Sequence, residues 1–283
     1  MATTFDRSSE DLGNIVGLEH VNLRVPDQHL ANLFYVVGLG LTRDPYLNVA
    51  DTNMWINVGK SQFHLPRGEP MRLRGRTGLV ISNRDALLDR LTAVRKSLDS
   101  TAYEFEETSN AVEVVCPWGN QLRCYEPDAG RFGQMALGMP YVELDVPSGS
   151  TKGIARFYSG VFDALTDATD GEARIVVGKN QRLVFRETSG SIAPYDGHHI
   201  QVYVANISGP HRRLDERGLV TQEDSRYQFR FKDIVDPDDG RVLFTLEHEV
   251  RSLTHPMFAR PLVNRNPAQS TMEYQPGQDS WYG

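Results

Sequence analysis

Cysteine is nearly absent from this 283-residue chain, which carries only Cys116 and Cys124. Two thiols cannot build a disulfide framework, which excludes the small bridged scaffolds of secreted proteins and suits a reducing compartment. Both flank the turn Pro-Trp-Gly-Asn at 117–120 and read as small buried strand residues. Positive charge is also short: 30 Lys and Arg against 37 Asp and Glu leave a net charge of −7. Nucleic acids and anionic membranes select basic surfaces, so neither is expected as a partner. No apolar run approaches the roughly 20 residues that span a bilayer. The start MATTFDRSSEDLGN is polar and lacks the apolar core of a secretory signal, so a cytoplasmic location is expected. Several catalytic signatures are missing as well. There is no Gly-x-Gly-x-x-Gly, no phosphate-binding Gly-x-x-x-x-Gly-Lys-Ser/Thr loop, no Gly-x-Ser-x-Gly elbow and no Cys-x-x-Cys pair. Nucleotide binding, serine hydrolysis and structural zinc therefore have no support.

What the chain does have is a repeat. Residues 17–41, GLEHVNLRVPDQHLANLFYVVGLGL, match residues 138–164, GMPYVELDVPSGSTKGIARFYSGVFDA. Each is an alternating strand, a proline, a short helix carrying Phe-Tyr and a return to extended chain. The copies differ where chemistry would sit: His20 in the first is Tyr141 in the second.

Each half divides again. Module one has the strand LEHVNLRV, a helix near 28–37 and strands ending in MWINVG and SQFHLP. Module two begins at TGLVIS and closes with the hairpin EVVCPWGNQLRCYE. Module three runs from PYVELDV to EARIVVGKNQRLVF, and module four from HHIQVYV to FRFKDIVDPDDGRVLFTLE. All four read as β-α-β-β-β, an α+β class in which paired modules form two curved mixed sheets with helices outside. The expected divisions are a polar N-terminal tail at 1–14, an N-terminal half at 15–135, a C-terminal half at 136–250 and a surface-wrapping tail at 251–283.

This pattern resembles the vicinal oxygen chelate superfamily of glyoxalases, extradiol ring-cleaving dioxygenases and bleomycin-resistance proteins. The resemblance covers about residues 15–250. Its carriers are the first strand from His20 to Pro26, Phe34-Tyr35 leading to Leu39-Gly40-Leu41, the closing strand GKSQFHLP, and the turns PWGN and DPDDG. It implies a metal in the hollow of a paired sheet, with ligands on the first and last strands of each module. The first-strand slots would be His20, Thr77, Tyr141 and His199; the closing-strand slots would be His64, Arg123 and Leu183. In module four the slot is Phe244 or Thr245 by register, and the family's glutamate is missing from both. Glu247, two residues on and on the same strand face, is the substitute candidate.

Module pairing decides whether these residues meet. Pairing one with two and three with four breaks the set. Pairing one with four gathers His20, His64 and His199 with Glu247 nearby, and is preferred because it leaves one complete site and one blank hollow. An imidazole-rich set suits iron(II), zinc, copper or nickel, with manganese also considered, rather than magnesium or calcium. Iron(II) follows from the dioxygenase resemblance. Asn22, Gln201 and Phe244 are candidate substrate contacts, and Glu143, Tyr203 and His248 candidate acid–base groups. The leading expectation is an extradiol-type dioxygenase acting on a small hydroxylated aromatic. A glyoxalase-type isomerase or lyase, and a metal-free small-molecule binder, are the rivals. A homo-oligomer is compatible with either arrangement.

Overall fold

In the computed structural model, which describes residues 5–46, 52–266, 268–270, 274–275 and 277–278, the four modules form two eight-stranded mixed sheets. Module one contributes β1 (Ile15–Asn22), α1 (Gln28–Ala31, continuing as a π-helical stretch Asn32–Gly38), β2 (Thr42–Arg43), β3 (Asn53–Val58) and β4 (Ser61–Pro66). Module two contributes β5 (Gly75–Ile81), α2 (Arg84–Val94), β6 (Glu104–Glu107), β7 (Val112–Val115) and β8 (Gln121–Tyr125), with a short α3 (Ala129–Phe132) leading out. Module three has β9 (Leu137–Pro147), α4 (Thr151–Phe162), β10 (Thr166–Thr169), β11 (Glu172–Gly178) and β12 (Gln181–Thr188). Module four has β13 (His199–Val204), α5 (Ser208–Asp215), β14 (Val220–Ser225), β15 (Gln228–Val235) and β16 (Val242–Ser252).

The strand orders are β14-β15-β16-β13-β1-β4-β3-β2 and β10-β11-β12-β9-β5-β8-β7-β6. Module one is thus joined to four, and two to three. The joints are the antiparallel pairs β1–β13 and β5–β9, so each first strand lies at the centre of a sheet. Central strands are covered on both faces, which is why they read as nearly unbroken apolar runs; every residue of β13 is buried.

The main apolar core runs through both sheets, beside a small second cluster of Val80, Ala111, Tyr125 and Phe132. The amphipathic α4 inserts Ile154, Phe157, Tyr158, Val161 and Phe162 into it. Each such buried side chain contributes about 2–3 kcal/mol of transfer free energy. Gln181 links the sheets, donating from Nε2 to the Leu18 carbonyl at 3.0 Å and accepting the Leu18 amide at 3.1 Å. The β3–β4 turn needs Gly59, at φ +63°, because a Cβ there would lie 2.2 Å from the Leu137 carbonyl oxygen. Both cysteines are buried and unpaired.

His248 belongs to this core. Its ring stacks on Phe231 at 4.4 Å, and Tyr158 Oη lies 2.5 Å from its Nε2. It therefore sits beneath α4, on the sheet face opposite Glu247, and is not available as an acid–base group. Burial pushes its pKa down to about 3. A histidine held neutral in the folded state but titrating at its ordinary 6.5 in the unfolded chain stabilises the fold above pH 6.5. That contribution is lost as pH falls towards 3. The Tyr158→Phe, His248→Phe double variant should therefore lose about 2 kcal/mol less stability than the parent between pH 7 and pH 4.5. Denaturant titration of the metal-free proteins at the two pH values measures this.

Candidate metal centre

The hollow of the first sheet is built around β1, β4, β13 and β16. Beside β4 in parallel, His20 stands next to Gln62 and Asn22 next to His64. Across the antiparallel joint, His20 faces Gln201 and Asn22 faces His199. His20, His64 and His199 consequently meet, each offering a nitrogen within 4.8 Å of the others. The rings approach edge to face, His20 lying 5.6 Å from His64 and 5.7 Å from His199 between centroids.

The outer nitrogens of these rings are engaged. His20 Nδ1 lies 3.1 Å from Glu19 Oε2, His64 Nδ1 lies 2.6 Å from the Asn22 amide, and His199 Nδ1 lies 3.5 Å from Glu247 Oε1. Glu19 reaches the hollow because β1 bulges there: Leu18 pairs with Val202 but His20 with Gln201. The carboxylates beside His20 and His199 favour the Nδ1–H tautomer there and leave their Nε2 lone pairs free, whereas Asn22 Nδ2 donates to His64 Nδ1. All three Nε2 atoms are buried without a hydrogen-bond partner. Burial, first, and nearby arginines or fellow histidines push all three pKa values well below 6.5, so the rings are neutral at pH 7. Three neutral, buried and orphaned imidazole nitrogens fit a divalent transition metal.

A buried carboxylate lies beside this group, at a position the sequence reading missed. Glu249 Oε2 lies 3.7 Å from His199 Nε2, and Glu249 is only 2% exposed. In the parallel ladder Glu249 stands beside Gln201, two residues past His199, as His64 stands beside Asn22, two residues past His20. Glu249 is the module-four equivalent of His64. Glu247 shares the face but stands beside His199 itself and hydrogen-bonds Arg230 Nη1 at 2.7 Å.

The carboxylates belong to a buried ion network. Arg251 Nη1 donates to Glu19 Oε2 at 2.9 Å, and its other terminal nitrogen pairs with Glu249. Arg230 also bonds Glu249. Tyr203 donates to Glu19 Oε1 at 2.9 Å, which places it behind the histidines as a support for Glu19. Gln201 is fully buried and neither end of its amide has a partner.

Trp55, also missed, stacks on His64 at 3.9 Å and meets His20 edge-on at 4.9 Å. The chain after β16 closes over this face. Phe258 packs on Tyr203 at 4.9 Å, and buried Arg260 pairs with Asp44, whose Oδ2 accepts from Gln62 at 2.7 Å. Arg260 Nη1 is buried without a partner.

Other expected residues lie elsewhere. Phe244 packs against Phe185 at 6.2 Å on the core face with His248, because it is an odd number of residues from Glu249 on one strand. Glu143 lies in the second hollow, bound by Arg76 at 3.1 Å and Arg186 at 3.3 Å, away from the histidines. The slots of that hollow are displaced by one residue from expectation. Thr77 and Leu183 are buried and paired with Val142, while Arg76 and Val184, beside Glu143, face the hollow.

Among solved structures, a Bacillus subtilis protein assigned as a dioxygenase superposes with a TM-score of 0.58 at 14% identity, covering 89% of this chain and 88% of that one. Glyoxalase I from Zea mays superposes at 0.55 with 12% identity, covering 83% and 92%. The chain has the vicinal oxygen chelate fold. No family model and no curated sequence matches it. His20, His64 and His199, contributed by modules one and four, converge in the hollow of the first sheet and could hold a metal ion. No described helix is long and apolar enough to cross a membrane.

Proposed function

We propose that this protein is a mononuclear iron(II) enzyme of the extradiol type, opening the ring of a small hydroxylated aromatic. His20, His64, His199 and Glu249 hold the metal, while Glu247, Glu19 and Asn22 orient the rings. The observation that carries the reading is the convergence of three orphaned Nε2 atoms with a buried carboxylate oxygen 3.7 Å from one of them. When bound, the metal supplies Lewis acidity and one-electron chemistry at coordination positions left open to small oxygen ligands.

The chain's own residues do the rest. The Gln201 amide, with donor and acceptor both unspent, can hold one hydroxyl of the substrate. Trp55, stacked on His64, offers an apolar wall against which a planar ring can lie. The C-terminal chain excludes water, and Arg260 brings an unpaired N–H to this face. Glu249 carries a carboxyl whose pKa is raised by burial against the opposing pull of Arg251 and Arg230. That raised basicity also favours a second reading, a glyoxalase-type isomerisation in which a carboxylate moves a proton beside a polarised carbonyl.

Metal analysis of anaerobically purified protein separates these readings. The expected result is iron near one equivalent, lost in His20→Ala and His199→Ala, with oxygen uptake on catechols or hydroquinones. Zinc or nickel, with isomerisation of a hemithioacetal and no oxygen uptake, would favour the second reading. Failure to retain any divalent metal would overturn both and leave a binding protein.

A further inference from the structure

The hollow of the second sheet repeats the metal centre's geometry with different chemistry. In the first sheet His20 faces Gln201 and His199 faces Asn22; in the second, Arg76 faces Glu143 and Tyr141 faces Gly78. His64 lies beside Asn22 as Arg123 lies beside Gly78, and Glu249 beside Gln201 as Val184 beside Glu143. The positions of His20, His64, His199 and Glu249 are therefore occupied by Arg76, Arg123, Tyr141 and Val184. Two imidazoles have become guanidiniums and the carboxylate an aliphatic side chain. A guanidinium is always charged and offers only donors, so this hollow repels cations and attracts anions.

Its walls carry the same sign. A hollow of about 280 Å³ is lined by Arg123, Arg131, Arg174, Arg182 and Arg186, with Glu143 as its one carboxylate. Glu113 on β7 and Glu172 on β11 neutralise part of this charge by pairing with Arg123, and with Arg174 and Arg186, respectively. Arg131 and Arg182 have no carboxylate partner among the described residues. Arg131 is instead held over the rings of Tyr125 at 4.1 Å and Phe132 at 4.8 Å, contacts that position its charge without cancelling it. The hydroxyls of Tyr125 and Tyr141 hydrogen-bond each other at 2.9 Å, which uses one of their two protons and leaves one to donate. Such a concentration of guanidinium groups stands out in a chain of net charge −7.

We propose that this hollow binds a small oxyanion-bearing molecule, its carboxylate or phosphate clamped by Arg131, Arg182 and Arg123. Paired N–H groups of arginine match the oxygens of either group. The volume limits the ligand to a small metabolite, since it lies at the low end of ligand pockets. The site is independent of the metal, so failure of either proposal leaves the other standing.

Calorimetric titration of the full chain with inorganic phosphate and with succinate, at low ionic strength, tests this. Saturable binding of at least one is expected, phosphate alone pointing to phosphoryl ligands and succinate alone to carboxylates. Arg131→Ala and Arg182→Ala, both at exposed side chains, should each weaken it roughly tenfold, the loss of one charge-assisted contact. Thermal midpoint and metal content should stay at parental values, and His199→Ala should leave anion binding intact. No heat with either anion at millimolar concentration, or unchanged affinity in the Arg131→Ala, Arg182→Ala double variant, overturns the proposal.

Discussion

Exchanging Glu249 for glutamine is expected to weaken metal binding by more than about a hundredfold, while Glu247→Gln weakens it by about tenfold. Both substitutions remove one negative charge beside Arg230, which bonds each carboxylate. The loss of charge is therefore matched, and the difference reports contact with the metal. Glu249 lies against His199 Nε2, the orphaned nitrogen, whereas Glu247 lies against Nδ1 on the far side of the ring. Removing a carboxylate that orients a ligand costs roughly ten- to a hundredfold in affinity. Removing a ligand costs that and the coordinate bond. Competition titration against a chelator of known affinity measures both variants. Equal losses would place the two glutamates in equivalent roles and remove Glu249 from the proposed set.

The contrast also marks where the sequence stopped being legible. The four β-α-β-β-β modules follow from strand periodicity, whereas the His20, His64 and His199 slots follow from the family resemblance, and the joining of module one to four from the preference for one complete site. Glu249 did not follow, because distance was counted from the turn. His64 lies five residues past Gly59, but Glu249 lies nine past Gly240. The β15–β16 hairpin is longer by four residues, so its turn projects beyond the hollow; counting lands on Phe244, and matching VLFTLE to the family's closing strand lands on Thr245. Period two then separates Phe244, on the core face, from Glu247 and Glu249. Counting from the paired first strand instead of the turn recovers the residue.

The displaced slots in modules two and three have a related cause. Arg76 and Val184 both pair with Glu143, one residue from Thr77 and Leu183, and a one-residue offset exchanges the faces of a strand. With Thr77 and Leu183 assigned to the slots that Arg76 and Val184 fill, the arginine-rich character of the hollow stayed hidden. Trp55, by contrast, could have been found. In a two-residue hairpin with Val58 opposite Ser61, Trp55 must stand opposite His64.

Arg251→Met is expected to produce the largest loss of stability, about 3–5 kcal/mol, because it removes the shared partner of two buried carboxylates. Arg251 is 6% exposed; Glu19 and Glu249 are 8% and 2% exposed, and both bond it. Methionine preserves the packing of the aliphatic stem, so the cost is that of leaving negative charge buried. Glu249 keeps Arg230, and Glu19 keeps Tyr203 and His20, which sets the loss below that of two fully orphaned charges. The thermal midpoint should fall on the order of 10 °C. A divalent metal held by Glu249 returns positive charge to the same cluster, so loading should recover a larger share of the variant's stability than of the parent's. Thermal melts of metal-free and metal-loaded Arg251→Met and parent decide the point. An equal metal-induced shift in both would mean that the cation does not share the electrostatic field of Glu19 and Glu249, which would count against its placement among the three histidines.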